Sequence, residues 1–93
     1  MKVQIDPHTL ERAEERGATA DEIRDVVKTG FPIPAKHGRE GRAKIYDFKQ
    51  ERLGKYYEHK RVEVIYTIED DKAVTITVYV FYGKWEESDA DSI

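Results

Sequence analysis

From residue 60 to residue 82 the chain alternates with a period of two, broken only at Asp70–Asp71. Val62, Val64, Tyr66 and Ile68 fall on one side of the first run, against Arg61, Glu63, Ile65 and Thr67. In the second run Val74, Ile76, Val78, Val80 and Tyr82 oppose Thr75, Thr77, Tyr79 and Phe81. Successive side chains of a strand point to opposite faces of a sheet, and β-branched and aromatic residues suit that pleated surface. The pattern predicts two antiparallel strands joined by a hairpin turn at the paired aspartates. The second strand is apolar on both faces, which predicts a central place in the sheet.

The first thirty residues follow a different period. Asp6 is a helix cap and Pro7 suits the first helical position, where a missing N–H costs nothing. A helix is expected from Pro7 to about Arg16, ending at Gly17. Thr19 and Glu22 have capping-box spacing, and Ala20, Ile23, Val26 and Val27 form the buried stripe of a second helix that ends at Gly30. Residues 2–5 read as a short edge strand or an extended lead-in. Residues 31–41 hold Pro32, Pro34, Gly38 and Gly41 and read as a loop. Strands are expected at 43–48 and 53–58, flanking a turn at Gln50–Glu51. Together these give an α+β fold, with an N-terminal helical hairpin packed on an antiparallel β-meander of about four strands. A single domain should cover residues 1–87, with Trp85 plugging one end of the core and an acidic tail at 88–93 disordered.

Composition narrows the function. There are no cysteines, which excludes a disulfide framework and thiolate metal sites. His8, His37 and His59 share no ligand spacing, so neither a metal nor a cofactor is expected. No apolar run follows Met1 and no segment approaches bilayer length, so a cytoplasmic protein without membrane contact is expected. The net charge of −3 counts against nucleic acid until its distribution is considered. Residues 36–61 carry nine basic and four acidic side chains, a local balance of +5, while the C-terminal end is acidic.

Chemistry centres on the first helix. His8, Arg12 and Arg16 recur every four residues, which stacks them along one stripe. Cleaving RNA without a metal takes a group that moves protons near neutral pH and cations that hold the phosphate; histidine and arginine supply these. His59 and Arg61 at a strand start, and Tyr79 on the sheet, complete the candidate catalytic set. Lys36, Arg39, Arg42, Lys44 and Lys60 are candidate RNA contacts. The plain alternative is that the arginines pair with nearby carboxylates and His8 hydrogen-bonds locally.

The run from His8 through Arg12 and Arg16 to Gly17, followed by Thr19 to Ile23, resembles a small uncharacterised prokaryotic family. Its members begin with His-x3-Arg-x3-Arg-Gly and finish on a Val-Ile-Thr-Val-Tyr-like strand, here Val74 to Tyr79. That group is distantly similar to RelE-type and BrnT-type toxins, compact α+β ribonucleases encoded beside an antitoxin. The resemblance implies metal-independent cleavage of mRNA, with an antitoxin protein as partner. The alternative function is a non-catalytic protein-binding module, with the last strand pairing edge to edge in a homodimer. A third is a small-molecule enzyme using residues 31–41 as a lid.

Overall fold

The computed structural model describes residues 1–86; the expected tail at 88–93 lies outside the described residues. Helix α1 spans Pro7–Arg16. The Asp6 carboxylate accepts the backbone N–H groups of His8 at 2.9 Å and Thr9 at 3.2 Å, two donors that the helix itself leaves unpaired. The helix stops at Gly17, whose φ of 98° lies in the left-handed region. A Cβ at Gly17 would collide with the Tyr82 hydroxyl, so the site demands glycine for space as well as for backbone. Helix α2 spans Ala20–Thr29 and opens on a complete capping box: Thr19 Oγ1 accepts the Glu22 N–H, and Glu22 Oε1 accepts the Thr19 N–H.

The sheet has five strands, not four. They are β1 (Lys2–Gln4), β2 (Phe31–Pro32), β3 (Glu40–Arg52), β4 (Lys55–Glu69) and β5 (Lys72–Gly83), in the spatial order β1-β5-β4-β3-β2. The sheet is also mixed, because β1 pairs with β5 in parallel while the other neighbours are antiparallel. Residues 2–4 thus take the strand option. The segment 31–41 is a loop bracketed by strand, since Phe31 and Pro32 pair with Ala43 and Arg42. A two-residue strand carries too little pattern to register in a sequence.

Three details of the meander depart from the sequence reading. The β3–β4 turn sits at Leu53–Gly54, with φ of 53° and 82°, and not at Gln50–Glu51. Two positive φ values in a two-residue loop fit the twist of a hairpin, but leucine is an unusual occupant and gave no turn signal. An extra residue in β3 between Asp47 and Gln50, where Lys49 has φ 49°, shifts the register. Third, β4 and not β5 is the central strand. Beyond Gln4, β5 has no strand on its outer side among the described residues.

Both helices pack on one face. Ala13, Ala18, Ile23, Val26 and Val27 meet Val62, Val64, Tyr66, Ala73 and Val78 in a single buried cluster. Fully burying a valine or isoleucine contributes about 1.5–3 kcal/mol, so this cluster is the main source of stability. Trp85 stands outside it: its backbone N–H donates to His59 Nδ1 at 3.0 Å, and its ring packs beside Gly83. No helix of the described residues is long and apolar enough to cross a membrane.

The alternation in β5 changes phase at Ile76. Tyr66 opposes Thr75, whereas Ile65 opposes Thr77, so Ile76 is an extra residue with no partner on β4. Thr75 is buried at 3% exposure and Ile76 is exposed at 36%, the reverse of strict alternation.

Candidate functional site

Helix α1 is tied to β5 at four points. The Asp6 N–H donates to Thr75 Oγ1 at 3.1 Å, and the Thr9 hydroxyl donates to the Ile76 carbonyl at 3.3 Å. An Arg16 guanidinium nitrogen donates to the Val78 carbonyl at 2.7 Å, and the Tyr82 hydroxyl donates to the Arg16 carbonyl at 2.6 Å. These bonds fix the roll of the helix about its axis. Thr9 and Ala13 face the sheet and are buried, while His8, Arg12 and Arg16 line a hollow of about 50 Å³ along the bulge. Thr9, Ile76, Thr77 and Val78 complete its wall, and among the described residues no carboxylate lines it. Bulges tend to sit beside functional sites because they re-aim the local backbone.

Among the described residues, the side chains of His8 and Arg12 make no hydrogen bond or ion pair. No carboxylate among the described residues neutralises either one. The hollow is large enough for several waters or one small oxyanion.

A family model of an uncharacterised domain, described as a domain of unknown function, matches residues 5–80. The chain belongs to that family, DUF4258. No curated protein and no solved structure matches it. The stretch characteristic of DUF4258 takes in the whole wall of the hollow, from His8 to Val78, and stops short of Phe81 and Trp85.

The other candidate catalytic residues are elsewhere on this DUF4258 chain. Arg61 lies on the sheet face away from the helices, where its Nε donates to Glu63 Oε2 at 2.8 Å and its guanidinium covers the Phe31 ring. His59 accepts the Trp85 N–H on Nδ1, which leaves its proton on Nε2, 3.8 Å from Asp47 Oδ1. Tyr79 stands on the same outer face, opposite Glu63 and stacked on Phe81. The expected constellation therefore divides in two, and the hollow is lined by its helical half, without His59, Arg61 or Tyr79.

The candidate RNA contacts divide as well. Lys36 and Arg39 are exposed in the turn after β2. Arg42 donates to the Gly30 carbonyl at 2.8 Å and to the Tyr66 hydroxyl at 3.2 Å. Lys60 is buried and bonded to Gly17 O and Glu22, each at 2.9 Å. Lys44 is bonded to Asp25 at 2.7 Å and to Thr29 at 2.9 Å. Much of the basic middle thus fastens helices to the sheet. Thr9, Thr77 and the Ile76 bulge were missed in the sequence, because a bulge leaves no mark in an unbroken run of β-branched residues.

The Asp25 cluster carries a pH dependence. Hydrogen bonds from Lys44, then Tyr46 and Thr29, hold the Asp25 carboxyl down from 3.8 to about 2, and burial together with the Asp25 carboxylate pushes the Tyr46 phenol up. A carboxyl depressed by folding stabilises the native state above its unfolded pKa, and that contribution disappears as pH falls towards the folded value. The advantage of the native chain over Asp25→Asn should be full above about pH 4 and vanish towards pH 2. Urea midpoints across that window measure it; a constant difference between the two proteins would show that the strut does not act through charge.

Proposed function

We propose that the protein is a metal-independent endoribonuclease that seats an mRNA phosphodiester in the hollow between α1 and the β5 bulge. The observation that carries this reading is the convergence of His8, Arg12 and Arg16 on one open cavity whose wall, among the described residues, holds no carboxylate. Arg12 offers an unpaired planar fork to two phosphate oxygens. Arg16, which also lines the hollow, has one guanidinium nitrogen anchored on the Val78 carbonyl, which limits its movement there. Together they offset the negative charge that builds on the phosphorane as the reaction proceeds.

The His8 imidazole takes the 2′-hydroxyl proton. The 2′-oxygen bonds to phosphorus as the bond to the 5′-oxygen breaks, and the departing oxygen takes a proton from solvent. The products are a 2′,3′-cyclic phosphate end and a 5′-hydroxyl end. The resemblance to RelE-type and BrnT-type toxins supports mRNA as the substrate and an antitoxin as the partner.

Purified protein incubated with mRNA in EDTA should release fragments bearing cyclic phosphate. RNA left intact at stoichiometric protein would overturn the reading. Binding should also weaken with salt, and Arg12→Ala should lower the slope of log K against log salt by about 0.7, the value for one phosphate on a single strand. An unchanged slope would remove Arg12 from the phosphate.

A further inference from the structure

Among the described residues no strand lies along the outer edge of β5 from Ile76 to Gly83, because β1 pairs only with Lys72, Ala73 and Val74; side chains of α1 reach the Ile76 and Val78 carbonyls, and the backbone beyond them is uncovered. The N–H and C=O of a strand residue point to the same side, and alternate residues point to the same edge. The Val78 carbonyl reaches Arg16 on α1 and so points outward; Val80 and Tyr82 share its orientation. The Val78 N–H and both backbone groups of Val80 and Tyr82 then face outward, with no backbone partner among the described residues. Natural sheets seldom leave such a template bare.

We infer that this edge accepts an extended segment of a partner protein in which acidic and apolar side chains alternate. The open backbone groups select a strand, since only a strand can return N–H to C=O at every second residue. Charge selects the rest. On the helix side of the edge lies the hollow with its unpaired Arg12, next to Ile76 and Val78. On the other side lie the stacked rings of Tyr79 and Phe81, exposed at 45% and 47%. An added strand presents alternate side chains to these two environments, acidic to the first and apolar to the second. A second copy of this chain fits less well: a two-fold ladder would bring both copies' Arg12 and Arg16 to the same side of the joined sheet.

This inference does not rest on RNA cleavage, and its test contains no RNA. The probe is a capped hexapeptide alternating Asp and Val, titrated into the full chain with the backbone amides followed by NMR. Binding should shift the Val80 and Tyr82 amides. N-methylation of every second peptide nitrogen should weaken binding at least about tenfold, the loss of one or two hydrogen bonds. Replacing Asp by Lys in the peptide should weaken it similarly. Val80→Pro, which deletes an outward N–H and no ladder bond, should match the N-methylated result if it folds; the modified peptide gives the answer if it does not. Equal binding of the N-methylated or Lys peptide, or no binding at millimolar peptide, would overturn the inference. So would self-association of the chain through this edge, which would make a second copy the occupant.

Discussion

His8→Ala is expected to slow RNA cleavage by about 10²- to 10⁴-fold, the usual range for removing a general base, while leaving the fold and RNA affinity nearly unchanged. The fold uses His8 through its backbone N–H, which donates to Asp6, and alanine keeps that donor. The residue is exposed and its imidazole has no hydrogen-bond or ion-pair partner among the described residues, so its removal should change stability by no more than about 0.5 kcal/mol. In the proposed mode of binding the two arginines hold the RNA, and both remain. Single-turnover rates at saturating RNA, beside thermal unfolding of both proteins, separate these effects. His59→Ala is the informative contrast, since His59 supports the Trp85 backbone and lies outside the hollow. Equal rates for the native chain and His8→Ala would leave the hollow without a proton-transfer group.

The two helices were legible because their ends are chemical events. Asp6–Pro7, Gly17, the Thr19–Glu22 box and Gly30 each satisfy or terminate backbone groups, and each sits where the sequence places it. The β4–β5 hairpin was equally legible, since Asp70 and Asp71 adopt φ of 51° and 61° between two runs of alternating residues. What the sequence hid was register. The extra residues at Lys49 and Ile76 cost no turn signal and disturb no composition, yet they decide which side chains enter the core and where a cavity opens. The helical stripe of the site was visible as spacing alone. Whether Arg61 and His59 would join it was not, because sheet face depends on pairing partners far along the chain, and both occupy other surroundings. The basic middle misled for a related reason: a count of charges does not reveal that Lys60 and Lys44 reach across to carboxylates on α2.

Lys60→Met should destabilise the protein by about 3 kcal/mol, near the low end for removing one partner of a buried ion pair. The ammonium is buried at 8% exposure and bonds to the Gly17 carbonyl and to Glu22, so it joins the α1–α2 junction to the middle of β4. Methionine fills the same space, so little of the loss comes from a cavity. The cost arises because the Glu22 carboxylate, itself only 21% exposed, is left without its counter-charge and one helix-end carbonyl loses its donor. Adding Glu22→Gln should recover most of the stability. Glutamine at that position still accepts the Thr19 N–H and keeps the capping box, while removing the stranded charge. For a domain this small, about 3 kcal/mol is a large share of the total and should lower the unfolding midpoint by more than about 10 °C. Urea unfolding of the two single variants and the double variant closes the cycle. If Lys60→Met lost under about 1 kcal/mol, or if the double variant were no better than the single, the bridge would be an ordinary surface pair and the hairpin would be held to the sheet by apolar packing alone.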